Sequence, residues 1–254
     1  MVLAVYRREF DVELKDGNEP VTQADRRANA LLVDRFCKAF PNDGIVAEES
    51  LPSNTTQLKA TVSKERVWFI DPLDGTKELI ARNGEFSVMI GLALAGRPVL
   101  GVVAMPVSGE VAAGVVGQGA WLLASSGQRS ELRVSGQTRL DACTVIISRS
   151  HASERLKSKL DAIGPAHRLQ CGSVGVKVVR IAQQKADVYI NVGGAKLWDG
   201  CAPEAIMAAA GGKVTDGNGN TIDYATTILG LNQGFVATNG LLHDATIAAT
   251  REHR

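Results

Sequence analysis

The sequence has little that would commit it to a special environment. An excess of one charge is absent, with 28 Lys and Arg against 27 Asp and Glu and a net charge of +1. That balance gives no overall field to attract a nucleic-acid polymer or an anionic membrane, so an anionic substrate has to be handled locally. No apolar run reaches the roughly 18 residues that a membrane helix needs. Val2–Val5 offers four apolar residues before Tyr6-Arg7-Arg8, too few for the apolar region of a secretory signal. Cysteine is scarce, and Cys37, Cys143, Cys171 and Cys201 form no C-x-x-C pair. This argues against a zinc site or a disulfide framework and for a reducing, cytoplasmic setting. Cys201, close to Asp199, reads as a small buried hydrophobe. Internal repeats, low-complexity tracts, a G-x-x-x-x-G-K-[ST] loop and an H-E-x-x-H helix are all missing.

What is present is an ordinary globular composition, 45% hydrophobic and 22% charged over 254 residues, long enough to bury a sizeable core. Apolar spacing predicts a helix from about Gln23 to Phe40 that packs Ala24, Ala28, Leu31, Leu32 and Phe36 and stops at Pro41. Gly44–Ala47 reads as a short buried strand ending at Glu48-Glu49-Ser50, 51–64 as a polar loop, and Arg66–Ile70 as a second strand ending at Asp71. Phe86–Ala95 and Val99–Met105, joined by Gly96-Arg97-Pro98, read as a hairpin, and the meander continues through 110–116 and 120–124. Beyond Leu132 strands and helices alternate: a strand at 144–148, helices at 152–163 and 174–184, a strand at 187–192, a Pro203-initiated helix to Ala210, a strand at 234–238 and a last helix from about Leu241. The expected division is an α+β half, residues 1–132, and an α/β half, residues 133–254. Trp68 and Trp198 are expected in the core.

Chemistry concentrates where strands end. Asp71-Pro72-Leu73-Asp74-Gly75-Thr76 places two aspartates three residues apart on an expected tight turn, just before the helical run Lys77–Ala81. Clustered carboxylates repel one another unless a cation offsets them, and a hard divalent ion takes oxygen ligands. The N–H groups of a helix start suit a phosphate oxygen. Taken alone, the hexapeptide fits a surface turn equally well, because Asp, Pro and Gly are the commonest turn formers. Two further acidic segments favour the metal reading: Glu48-Glu49 at a strand end, and Asp199 in Leu197-Trp198-Asp199-Gly200, which also fits an N-cap. A haloacid-dehalogenase-type nucleophile loop is excluded, because the position two before Asp74 is Pro72. Thr22-Gln23-Ala24-Asp25 fits a capping box, with Thr22 at the N-cap and Asp25 at N3.

Asp71–Thr76, with Glu48-Glu49-Ser50 before it and Trp198–Glu204 after it, resembles the inositol monophosphatase superfamily. Within it, Lys77–Ile80, Asn83–Val88 and Ser148-Arg149-Ser150-His151 are most similar to the 3'(2'),5'-bisphosphate nucleotidase (CysQ-type) branch. The family's first helix is longer than the stretch that precedes Lys15-Asp16-Gly17-Asn18 here.

The resemblance implies a layered α/β/α/β/α sandwich. It implies a magnesium-dependent phosphomonoesterase that removes the 3'-phosphate of adenosine 3',5'-bisphosphate to leave AMP, commonly inhibited by lithium, with an inositol-phosphate or sugar-phosphate phosphatase as the alternative. Glu48, Asp71 and the Leu73 carbonyl would hold one Mg²⁺, and Asp71, Asp74 and Asp199 a second. Glu49 would be a supporting group or a ligand to a third ion. One metal would acidify a water, with Glu48 on that ion, and the other would stabilise the departing oxygen. Thr76 and Asp25 would handle the water's proton. Gly75 and Thr76 would bind the reacting phosphate, and Arg149, His151 and Lys177 the rest of the substrate. The expected partner is a small phosphate ester, bound by a monomer or homodimer without nucleic-acid polymer or membrane.

Overall fold

The computed structural model describes residues 1–15, 20–150 and 153–251, so the expectation for His151 lies outside the described residues. The chain runs α1 Val2–Tyr6, β1 Val12–Leu14, β2 Pro20–Thr22, α2 Gln23–Ala39, β3 Gly44–Ala47, α3 Thr55–Val62, β4 Arg66–Asp74 and α4 Thr76–Ile80. A meander follows, β5 Ser87–Leu94, β6 Arg97–Met105, β7 Glu110–Val115, β8 Gly119–Leu123 and β9 Arg129–Leu132. Then come β10 Thr144–Ser148, α5 Glu154–Ile163, β11 His167–Cys171, α6 Val174–Ala182, β12 Val188–Asn191, α7 Leu197–Ala209, β13 Lys213–Asp216, β14 Phe235–Thr238 and α8 His243–Thr250.

Strands β3 to β9 form a seven-stranded sheet in sequence order, with only β3 parallel to its neighbour β4. A five-stranded sheet has the order β11-β10-β12-β14-β13, parallel around β10 and antiparallel around β14. Helices α6 and α7 touch strands of both sheets, while α2 covers β3 and β4, and α5 packs on α8, which rests on β14. The layers therefore alternate α/β/α/β/α, as expected. The largest core cluster draws on both sheets and the helices between them.

One seam fixes the central layer. Gly91, Gly101 and Gly114 stand directly opposite one another on β5, β6 and β7. A Cβ would lie 2.6 Å from the Ala202 nitrogen at Gly91, 2.2 Å from the Ala202 oxygen at Gly101 and 2.8 Å from the Ile206 Cα at Gly114. The absence of side chains lets the α7 backbone lie on the sheet at a separation that no larger residue would allow.

Four expectations need correction. The stretch 51–64 is not all loop, because α3 forms within it, capped by the Asn54 side chain accepting from Gln57 N and anchored by buried Val62. β4 does not end at Ile70; it continues to Asp74 with an irregularity between Asp71 and Asp74, where Pro72 has no N–H to donate to β5. α7 begins at Leu197 and not at Pro203, which lies inside the helix and leaves the Asp199 carbonyl without its i+4 donor. Burial of Leu197, Trp198, Cys201, Ala202, Ala205 and Ile206 outweighs that loss. On α2, Leu31 is exposed, and Leu32, Val33 and Phe36 pack around Trp68 instead. The short strands β9, β11 and β13 were also outside the sequence expectation. β11 is exposed at its first four residues and carries no alternating pattern.

Candidate active site

A cavity of about 360 Å³ opens where β4 ends and α6 and α7 begin, and Glu48, Asp71, Asp74, Gly75, Thr76, Lys177 and Asp199 all line it. The four carboxylates are separated by up to 151 positions in sequence, yet each follows a strand or opens a helix whose placement the sheet dictates. Glu48 is held to β4 by its backbone N–H donating to Ile70 O at 3.1 Å. Asp71 is 2% exposed and accepts from Leu73 N at 2.9 Å. Gly75 then turns the chain at φ 96°, a left-handed conformation that admits glycine most readily, and α4 starts at Thr76.

The electrostatics are those of a cation site. Burial, and then the negative charges of Glu48, Asp74 and Asp199, push the Asp71 carboxyl well above the usual carboxylate range. Asp199 is raised in the same direction by burial, Asp74 and Glu48, and a side-chain hydrogen bond links it to Asp71. Glu48 is raised to about 7 by burial, opposed by Lys15. Buried like charges of this kind call for a proton or a metal.

Protein donors also hold these carboxylates. Asp74 Oδ2 accepts from Ser173 Oγ at 2.5 Å and from Gly175 N at 2.8 Å, and Asp199 Oδ2 accepts from Lys196 N at 2.7 Å. Asp199 is thus not an N-cap: it sits at N3 of α7 and reaches back to the capping backbone. Among the described residues, no three acidic, His or Cys side chains stand ready as a coordination cluster in these rotamers. The donor set nonetheless fits Mg²⁺: hard carboxylate oxygens around one cavity, their repulsion uncompensated at Asp71.

Thr22 and Asp25 form the expected capping box, and Asp25 does more. Its Oδ2 accepts from Thr22 N at 2.7 Å and Thr22 Oγ1 at 2.6 Å, while Oδ1 accepts from Thr76 Oγ1 at 2.9 Å. Capping and contact with the cavity threonine are therefore simultaneous. The Leu73 carbonyl receives only a long contact, 3.4 Å, from the same hydroxyl.

The expected substrate groups divide. Lys177 lines the cavity, 2% exposed, donating to Gly172 O at 2.9 Å with its ammonium 4.9 Å from the centre of the Tyr189 ring. Burial pulls its pKa down, with Asp74 opposing. Arg149 is not brought to the cavity: its guanidinium makes a two-pronged pair with Glu85, at 2.9 and 2.8 Å. Glu85 also accepts from Gly172 N at 2.7 Å, so Arg149 fixes the loop ahead of α6. Sequence reasoning missed Ser173, Tyr189, Lys196 and Lys15. Ser173 had a visible signal as the cap of α6, but capping alone does not announce the bond to Asp74.

The family model described as the inositol monophosphatase family matches residues 1–254. The chain is 36% identical over 236 residues to the 3'(2'),5'-bisphosphate nucleotidase CysQ of Escherichia coli (strain K12), covering 92% of each chain. Among solved structures, the extragenic suppressor protein suhB from Bartonella henselae superposes with a TM-score of 0.84 at 23% identity, covering 100% of this chain and 93% of the other. An IMPase/NADP phosphatase complexed with Mg²⁺ and phosphate gives a TM-score of 0.81 at 20% identity, covering 98% and 88%. The last two likenesses bear on the fold.

Proposed function

The chain belongs to the inositol monophosphatase family, and we propose that it is a Mg²⁺-dependent 3'(2'),5'-bisphosphate nucleotidase that converts adenosine 3',5'-bisphosphate to AMP. The observation that carries the reading is the convergence of Glu48, Asp71, Asp74 and Asp199 on one cavity, with the Thr76–Asp25 hydrogen bond at its edge. Glu48, Asp71 and the Leu73 carbonyl would hold one Mg²⁺, and Asp71, Asp74 and Asp199 another. When bound, the ions acidify a water and stabilise the leaving oxygen.

The chain's own groups do the rest. Thr76 Oγ1 donates to Asp25 and so presents its lone pairs to a water's proton; that proton passes to Thr76 Oγ1 as the threonine's own proton moves to Asp25 Oδ1. Thr22 fixes Asp25 from behind, keeping Oδ1 aimed at Thr76. The N–H groups of Gly75 and Thr76 orient the reacting phosphate. Lys177 supplies a buried positive charge for the second phosphate, and Tyr189 an aromatic wall in the same cavity. The four free cysteines suit a cytoplasmic enzyme.

The test is phosphate release from adenosine 3',5'-bisphosphate and from inositol 1-phosphate, side by side with Mg²⁺. Preference for the nucleotide, abolished by EDTA and restored by Mg²⁺, is the expected result. Preference for the inositol ester, or activity indifferent to EDTA, would overturn it.

A further inference from the structure

Arg149 stands outside the cavity, yet it is tied, directly and through Glu85, to the segment that holds the buried Lys177. Its backbone N–H donates to Cys171 O at 3.0 Å, one step past the Ser148–Cys171 pair of the β10–β11 ladder. Its guanidinium donates to Gln170 O at 3.2 Å and grips both Glu85 carboxylate oxygens, at 2.9 and 2.8 Å. One of those oxygens, Oε2, accepts from Gly172 N at 2.7 Å. The carbonyl of the same glycine accepts from Lys177 Nζ at 2.9 Å, and Cys171 O lies 3.5 Å from that nitrogen.

An exposed ion pair ordinarily contributes little. Arg149 and Glu85 are 41% and 26% exposed at their side chains, but the pair is a two-pronged fork, and its carboxylate also holds a backbone N–H. Gly172 has little room to shift. A Cβ there would lie 2.2 Å from Glu78 Cγ and 2.6 Å from Glu85 O, and Ser150 Oγ holds that Glu78 side chain by donating to Oε1 at 2.6 Å. The N–H and C=O of one wedged residue thus connect the surface fork to the buried ammonium. A lysine is a point charge on a flexible stem, so its acceptors decide where the charge sits. Lys177 Nζ is fixed by the Gly172 carbonyl and by the Tyr189 ring, 4.9 Å to the centroid, and an ammonium has three hydrogens, so donors remain for a ligand in the cavity. We propose that Arg149 is a positioning residue for recognition of the second phosphate. Acting through Glu85 and Gly172, it holds Lys177 where the ammonium favours a bisphosphate over a monophosphate. The inference rests on the reading of Lys177 given above and adds what sets its position.

The experiment compares adenosine 3',5'-bisphosphate with adenosine 3'-phosphate, which lacks the second phosphate. Wild type, Arg149→Met, Arg149→Lys, Lys177→Met and the Arg149→Met/Lys177→Met double variant are used, each checked for folding by its thermal transition. Arg149→Met is expected to raise KM for the bisphosphate about 5- to 20-fold with kcat within about twofold, the pattern of lost uniform binding. Both constants for the monophosphate should stay within about twofold of wild type. Arg149→Lys keeps the charge without the fork and is expected in between; should Arg149→Met fail to fold, it decides the question by the same comparison. In the Lys177→Met background, Arg149→Met should change KM by less than about twofold, because its effect passes through the lysine. An unchanged KM for the bisphosphate, an equal loss on both substrates, or an undiminished effect without Lys177 would each overturn the proposal. A Lys177→Met enzyme that keeps the wild-type preference for the bisphosphate would instead overturn the reading of Lys177 itself, so the two failures are distinguishable.

Discussion

Thr76 and Asp25, 51 positions apart, meet in a 2.9 Å hydrogen bond that joins the start of α4 to the first turn of α2. The bond gives the threonine hydroxyl a fixed direction, donating to the carboxylate and accepting from whatever lies in the cavity. Asp25→Asn and Thr76→Val each break the proton route without removing a metal ligand. A fall in kcat of about 10²- to 10⁴-fold is expected, the usual range for a positioned acid–base group. Mg²⁺ affinity measured by calorimetry should stay within a few-fold of wild type. A parallel loss of Mg²⁺ binding would show that the pair holds the site together and does not act on the water.

Asp71→Asn separates function from stability in opposite directions. The amide keeps an oxygen to accept from Leu73 N but removes a buried charge that Glu48, Asp74 and Asp199 repel. A carboxyl raised in the folded state takes stability away as pH rises through its window, so at neutral pH the metal-free variant should melt higher than metal-free wild type. Turnover should fall to background, and the increase in melting temperature on adding Mg²⁺ should shrink or vanish. A variant that melts lower without metal would contradict the repulsion described here.

The Gly91–Gly101–Gly114 row yields a prediction far from the cavity. At Gly101 an added Cβ would meet the Ala202 oxygen at 2.2 Å, backbone that cannot rotate away. Gly101→Ala should force α7 off β6 at a cost of about 1–3 kcal/mol or more. Because α7 carries Asp199 in its first turn, weaker Mg²⁺ binding should accompany the lower melting temperature. A stable Gly101→Ala with unchanged metal affinity would mean that the helix position does not set the Asp199 position.

The sequence exposed most of the site because its carboxylates lie in short contiguous motifs at strand ends, and the helix-capping box around Asp25 is itself a local pattern. What it could not expose depends on register or rotamer. The glycine row exists only once β5, β6 and β7 are aligned, since the three residues are unremarkable along the chain. Arg149 reads as a substrate group until Glu85 is found opposite it, and Lys15 reads as a loop lysine until the β1–β2 hairpin brings it to Glu48. Pro203 misplaced the start of α7 because local propensity favours proline in a first turn, while burial on every side of this helix overrides the preference.

His243 supplies a pH dependence that is independent of the metal site. It is 1% exposed, with Nε2 against Thr215 Oγ1 at 2.9 Å and Nδ1 against Thr238 Oγ1 at 3.1 Å, joining α8 to both antiparallel strands at the edge of the second sheet. Burial, helped by nearby Lys213, lowers its pKa from 6.5 to about 4. The sign follows directly: as pH falls below the unfolded value, the unfolded chain takes up a proton that the folded chain refuses until about pH 4. Stability from this residue is therefore complete above about pH 6.5 and is lost progressively on acidification, by about 3 kcal/mol at most. Glu204, raised to about 7 by burial, titrates in an overlapping window with the opposite sign, so the wild-type curve alone would hide the effect. The informative quantity is the difference in unfolding free energy between wild type and His243→Gln, by urea titration at several pH values. Wild type should hold its largest advantage near pH 7 and lose most of it by pH 4.5. A difference that is flat across that range would show that the imidazole titrates in the folded protein as it does in the unfolded chain.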